Sequence, residues 1–293
     1  MQNLGPQDVS AVVCTMNSIS GIERCLQSLR AAGVTELIVV DANSTDGTKE
    51  IAEQLADKVL TDPGLGLGMA RNIGIGQSTK PLILNMGSDN VMPAGELEKM
   101  IAALTKEPHA SEGNLQGVSA QTLIEGNDYI SHGLNSWRKG RFIPGPASVI
   151  GTPTLFIGDT LRTHPYDPSR RFSDDSELCE RWAKEFGATF AISDAVVHEV
   201  GKTSWSEVVI RCKMYGISDA EVFSEGKKSG WGLKRRTKSY LHPARVDLVE
   251  PLMNLDASDK VKSLPFLVAF TAMRYDSWIK TSWKNRLHAR SDS

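Results

Sequence analysis

Polar residues able to bind or react gather at a few points of this chain, each just after an apolar run. In PLILNMGSDNVMP, residues 81–93, the run ends in a turn carrying a single carboxylate, Asp89, with Gly87 two positions before it. Earlier runs end in Thr15 and Asn17, in Asp41 to Asp46, and in Asp62. Asp41 closes its run before any helix cap is needed, so its carboxylate is available to a nucleobase or ribose. Ser44, Thr45 and Asp46 are equally at home as turn and cap residues. In GLGLGMARN, residues 64–72, Gly68 allows close backbone approach to a phosphate near a helix N-terminus. Arg71, one turn on, can reach the same anion or make a surface ion pair.

Alternating elements would hold these residues together. VSAVVCT, ELIVVDA, KVLTD and PLILNMG read as strands, and GIERCLQSLRAA, TDGTKEIAEQLA, MARNIGIGQS and AGELEKMIAAL as the helices between and after them. Ser20 with Glu23 forms a capping box for the first helix, which Gly33 stops. The alternation predicts an α/β fold with a mostly parallel sheet flanked by helices on both faces. Ligands of such sheets bind at the carboxyl ends of the strands, where the polar clusters fall.

The chain of 293 residues carries 33 Lys and Arg against 35 Asp and Glu, a net charge of −2 that excludes any global attraction to nucleic acid. Four scattered cysteines, Cys14, Cys25, Cys179 and Cys212, point to buried thiols in a reducing compartment. No secretory signal opens the chain, and no apolar run approaches the roughly 20 residues of a membrane span. A cytoplasmic protein is expected. The glycines at 64, 66 and 68 give GxGxG instead of GxGxxG and follow the third strand, which argues against a dinucleotide fold.

VVCTMNSISGIERCLQSL, IVVDANSTDGT, GMARNIGI and ILNMGSDNVMPAGELEKM resemble, in order and spacing, the nucleotide-sugar motifs of the GT-A (Rossmann-like) glycosyltransferases, family 2 in particular. RRFSDDSELCERWAKEFGATFAISDAVVHE is similar to that family's acidic catalytic motif, its helix and its late histidine. The resemblance implies a nucleoside-diphosphate sugar donor, UDP favoured, and transfer with inversion to a saccharide or lipid-linked acceptor. Thr15, Asn17, Asp41 and Asp46 would surround base and ribose; Gly68, Arg71, Asn72 and Ser88 would lie along the ribose and diphosphate. Asp89 and His198 would hold the divalent metal, Mn²⁺ or Mg²⁺, with imidazole favouring Mn²⁺. The family's Asp-x-Asp reads Gly87-Ser88-Asp89 here, so one carboxylate is lost. Asp175 would be the general base. Asp174 would face the acceptor, although a helix's first turn accommodates both acids whatever their function. His198 stands at the end of AVVHEV, which reads as a strand, and a lone histidine there also suits a purely structural role.

Residues 137–159, rich in Gly and Pro, occupy the acceptor region by the same resemblance. Trp137 would stack on a sugar face or serve as a buried anchor, and the short basic run Arg138, Lys139 and Arg141 would meet an anionic acceptor or belong to a solvated loop. From Lys227 to Arg245 seven Lys or Arg mix with Trp231, Leu233, Tyr240 and Leu241 and no acid. This composition suits either peripheral contact with an anionic membrane through residues 227–293 or a helical subdomain. The expected organisation is a catalytic domain at 1–224 and a helical C-terminal extension at 225–293. The alternatives are a nucleotide-sugar-binding scaffold without transferase activity and a sugar nucleotidyltransferase. The latter would carry a basic phosphate loop after the first strand, where CTMNSISG has no basic residue.

Overall fold

A computed structural model describes residues 4–106, 113–168, 174–201 and 203–291, with side chains to 285. Two compact units divide the chain, Met1–Leu123 with Ile143–Val200, and Ile124–Phe142 with Gly201–Ser293.

The first unit is built on a nine-stranded sheet among the described residues. Its parallel half alternates as expected: β1 (Val9–Thr15), α1 (Ile22–Ala31), β2 (Glu36–Asp41), α2 (Thr48–Leu55), β3 (Lys58–Thr61), α3 (Leu67–Ile75) and β4 (Leu82–Gly87). Strand order β3-β2-β1-β4 reverses direction of winding at β1, and the crevice for a ligand opens there, at the carboxyl ends of β1 and β4. Beyond β4, the sheet continues through further strands, of which the sequence pattern reveals only the last, by its end AVVHEV. These are β5 (Asn90–Val91), β6 (Asn114–Ile124), β7 (Gly145–Ala147), β8 (Thr154–Ile157) and β9 (Ala188–Glu199). The pairs β4–β8, β6–β8, β5–β9 and β7–β9 are antiparallel. α4 (Glu96–Thr105), α6 (Gly158–Thr163) and α7 (Asp174–Phe186) complete this unit.

β1, β2 and β4 of the parallel half are buried on both faces, while β3 at the sheet edge is partly exposed. Val9, Ala11 and Val13 meet Ile22, Cys25, Leu26 and Leu29 of α1, spaced to form one stripe, while Val12 faces Ile75, Phe156 and Trp182 in a second core. α3 comes close to β1 because Gly74 has no side chain: a Cβ there would lie 2.4 Å from Val12 Cγ1. That approach sets the depth at which Arg71, one turn earlier, enters the structure. The expected capping box at Ser20 and Glu23 is not formed. α1 begins instead after Gly21, with no side-chain cap. A Cβ on Gly21 would be 2.9 Å from the Ser88 carbonyl oxygen, so the turn after β4 closes off this helix end.

The second unit is helical, with α5 (Tyr129–Arg141), α8 (Trp205–Lys228), α9 (Leu233–Tyr240), short helical turns over 242–254, and α10 (Ala257–Ser291). α8 and α10 touch at Gly216, where a Cβ would stand 2.5 Å from the Arg274 carbonyl oxygen. The boundary expected at residue 224 therefore cuts through α8, a helix whose apolar face is already committed to α10. Buried Asp247 anchors this unit, accepting from Trp137 Nε1 at 3.0 Å and pairing with Arg274 at 2.8 Å and Arg141 at 3.4 Å. No helix among the described residues is long and apolar enough to cross a membrane.

Candidate active site

The loops after β1 and β2 are knitted together at the crevice. Asn17, in a left-handed conformation at φ 49°, donates its backbone N–H to Ser44 Oγ at 2.8 Å and accepts from the Thr45 N–H at 2.9 Å. Asp41 ends β2 almost fully buried and accepts from the Ser44 N–H and hydroxyl at 2.9 and 2.5 Å. Asp46 accepts from the Thr48 hydroxyl and the Ile19 and Thr48 amides, which together hold its carboxyl below the usual range. Thr15 Oγ1, at the end of β1, is buried with no hydrogen-bond partner among the described residues, a polar atom left over beside the crevice.

Arg71 and Asn72 point into the protein. Arg71 is 5% exposed and donates to Asp174 Oδ2 at 2.6 Å, Asp175 Oδ1 at 2.9 Å and Thr152 Oγ1 at 2.5 Å. Its guanidinium also lies over the Tyr166 ring, 5.0 Å from the centroid. Asn72 donates to the Tyr166 carbonyl at 2.8 Å and accepts from the Tyr166 N–H at 3.0 Å, as a strand partner would. Gly68 permits close approach, but of the protein's own backbone: a Cβ there would be 3.1 Å from the Asp167 carbonyl oxygen. The sequence places these three residues along ribose and diphosphate. In the structure their contacts hold the segment that carries Tyr166 and the start of α7. The stretch Arg170–Ser173 of the acidic motif lies outside the described residues.

Asp174 is buried, and its pairing with Arg71 takes the place of the expected acceptor contact. The Asp175 side chain keeps 22% of its surface exposed. Burial raises its pKa against the pull of Arg71, so the carboxyl is shifted towards a working range for proton transfer. Tyr166 donates its hydroxyl to Asp175 Oδ1 at 3.2 Å and accepts from Asn85 Nδ2 at 3.1 Å. Asn85, Thr152 and Tyr166 are the residues that sequence reasoning missed. Asn85 alone left a signal, an amide in the middle of the apolar run LILNMG.

Asp89 lies in the turn just before β5, and His198 on β9, which pairs with β5. The Val200 N–H donates to the Asp89 carbonyl at 2.8 Å, and His198 is the register partner of Val91. Ser88 Oγ donates to Ser18 Oγ at 2.9 Å, tying this turn to the loop after β1. A Cβ on Gly87 would stand 2.9 Å from Asp89 Oδ1, so the Asp89 carboxylate occupies the space that a side chain at 87 would need. No set of three or more His, Cys, Asp or Glu among the described residues is placed to hold a metal ion. A carboxylate in the turn before β5 and an imidazole on β9, the strand paired with β5, are donor types that a divalent ion accepts beside diphosphate oxygens and water.

Trp137 proves to be the buried anchor of its two expected roles. Its ring packs against Phe142, Tyr215 and Phe270 in the helical unit and is 2% exposed, leaving no face for a sugar. Arg138, Lys139 and Arg141 form the last turn of α5, a helix where a loop was expected.

The family described as Glycosyl transferase family 2 matches residues 10–160. A protein of Rickettsia felis named as an uncharacterized glycosyltransferase is 37% identical over 225 residues, 76% of this chain and 72% of its own. Among solved structures, a mannosyltransferase of Pyrobaculum calidifontis in complex with GDP-Man and Mn²⁺ superposes with a TM-score of 0.63 at 17% identity, covering 96% of this chain and 89% of that one. TarS residues 1–349 from S. aureus gives 0.50 at 16% identity, covering 96% and 91%. At these identities the two structures establish the GT-A fold.

Proposed function

Since the chain belongs to glycosyl transferase family 2 and is a glycosyltransferase, we propose that it moves a sugar from a nucleoside-diphosphate sugar to an acceptor hydroxyl with inversion, Asp175 taking the proton. The observation that carries this reading is the state of Asp175. It is partly exposed, is raised in pKa by burial, and is anchored through one oxygen by Arg71 and Tyr166. A carboxylate so held can accept the acceptor's hydroxyl proton as the new bond to the anomeric carbon forms and the bond to diphosphate breaks. Displacement from the face opposite the leaving group inverts that carbon.

The donor is assigned to the crevice at the ends of β1, β2 and β4. Thr15, Asn17, Asp41 and Asp46 would take base and ribose, and Ser88 and Asp89 the diphosphate. Asp89 and His198 are the residues that would hold Mn²⁺ or Mg²⁺. A divalent ion there would offset the charge of the departing diphosphate. UDP is the nucleotide to test first and GDP second. The acceptor is a saccharide or lipid-linked saccharide, and α9 is proposed to hold the protein against an anionic membrane. Its residues Lys234, Arg235 and Lys238 are exposed, as are Leu233 and Leu241 at its ends.

The test is nucleoside diphosphate release from UDP-glucose, UDP-galactose, UDP-N-acetylglucosamine and GDP-mannose, each with Mn²⁺, Mg²⁺ or EDTA. Metal-dependent release from one donor, with product of opposite anomeric configuration by proton NMR, is expected. No release from any donor, or retention of configuration, contradicts the reading.

A further inference from the structure

We propose that Tyr166 is a positioning residue for Asp175, its hydroxyl, backed by Asn85, fixing one oxygen of that carboxylate and leaving the other for the acceptor. The inference rests on Asp175 being the base.

The contacts around Tyr166 restrain it from four sides. Both atoms of the Asn72 side-chain amide clamp its backbone, at 2.8 and 3.0 Å. The Arg71 guanidinium covers its ring, and the residue as a whole is 1% exposed. Its hydroxyl stands between Asn85 Nδ2 at 3.1 Å and Asp175 Oδ1 at 3.2 Å. An amide nitrogen can only donate, so the phenol oxygen accepts on that side, and its one proton is left to point at Asp175. Burial and the neighbouring Asp175 charge push the phenol's pKa well up, which keeps that proton in place.

Asn85 has a cost that packing does not explain. It lies inside β4, where Ile83 on the same face belongs to an apolar core. Its Oδ1 and the Oγ1 of its cross-strand partner Thr154 are both buried without hydrogen-bond partners among the described residues. An apolar residue would fill this strand position without burying an unpaired amide oxygen. What Asn85 provides is the donor that orients Tyr166.

Among the described residues, both hydrogen bonds that Asp175 accepts end on Oδ1. Oδ2 faces the other way, with a Cβ on exposed Gly151 standing 4.0 Å from it. The charged and titratable groups around the carboxylate are Arg71 on α3, Asp174 and Cys179 on α7, and Tyr166, with Cys14 on β1 acting through Arg71.

The experiment compares wild type, Tyr166→Phe, Asn85→Leu and Asp175→Asn in hydrolysis of whichever of the four donors above is turned over fastest. Phe keeps the ring and removes the hydroxyl. Tyr166→Phe is expected to lower kcat roughly tenfold or more, a fraction of the roughly 10²–10⁴ that a base supplies, with KM unchanged. Losing a hydrogen bond that favours the ionised carboxylate should also move the acid limb of the kcat profile to higher pH. Asn85→Leu should shift the same limb in the same direction by less. A purely structural role would lower Tm and leave the limb in place. Wild-type kcat and an unmoved limb in Tyr166→Phe, with Asp175→Asn inactive, overturn the positioning role alone. An active Asp175→Asn overturns the base assignment beneath it.

Discussion

Arg71 is bonded to Asp175 at 2.9 Å across 104 residues of sequence, and the same guanidinium nitrogen holds Asp174 at 2.6 Å. One nearly buried cation thus serves two acids, and the start of α7 depends on it. Removing it would leave both carboxylates in a low-dielectric site. Arg71→Ala is therefore expected to cost about 3–5 kcal/mol of stability in urea unfolding at pH 7, and less at acid pH as Asp175, whose pKa burial already raises, takes up its proton. A lysine in its place would keep the charge but not the fork that reaches Thr152 as well, so the stability of Arg71→Lys should fall between those of wild type and Arg71→Ala.

Asp175 carries a stability cost of its own. Its folded pKa is raised above the unfolded value of about 3.9. A group raised in this way stabilises the fold at acid pH, and that contribution is lost as pH rises through the folded pKa. Asparagine has no such loss. The Tm of Asp175→Asn relative to wild type should therefore climb between pH 4 and pH 7, a trade of stability for activity at a functional carboxylate. A constant difference across that range would show that Asp175 is not the group responsible.

The parallel half of the sheet was legible in the sequence because β1 to β4 are continuous apolar runs, each broken by a helix with its own period. Thr15, Asp41 and Asp89 could be set at strand ends for that reason. β6 to β8 were harder to see, since their pairs are antiparallel and join segments far apart in the chain. Arg71 and Asn72 were read as ligand-facing because a polar residue beside a glycine-rich turn suits an anion. Their actual partners lie more than ninety residues on, at a distance no local pattern encodes. Trp137 could not be settled until Asp247, 110 residues away, supplied the acceptor for its indole N–H.

The metal reading makes a paired prediction at the turn after β4. Asp89→Ala should abolish most of the Mn²⁺-dependent gain in UDP or GDP affinity measured by calorimetry, with Tm little changed. Gly87→Ala should do the same more mildly, since the new Cβ would press at 2.9 Å on both the Asp89 carboxylate and the Asn90 amide oxygen, the movable ends of two side chains. Unchanged Mn²⁺-dependent affinity in Asp89→Ala would remove this residue from the metal site.

Membrane contact is testable without truncating the helical unit, in which α8 and α10 share a core. Wild type should sediment with vesicles of phosphatidylserine and phosphatidylcholine at low salt and be released at high salt. Lys234→Glu, Arg235→Glu and Lys238→Glu combined should not sediment. Equal binding of both proteins, or of neither, counts against α9 as the contact.

The account turns on Asp175, and the most direct measurement is the turnover of Asp175→Asn beside its nucleotide affinity. Asp175 is the second residue of α7, where asparagine forfeits only the carboxylate's interaction with the helix dipole, about 0.3–1 kcal/mol, so a residue that only opens α7 would tolerate the change. If Asp175 takes the proton, kcat should fall by roughly 10²–10⁴ while calorimetric affinity for the nucleotide stays at the wild-type value. Turnover near that of wild type would contradict the assignment.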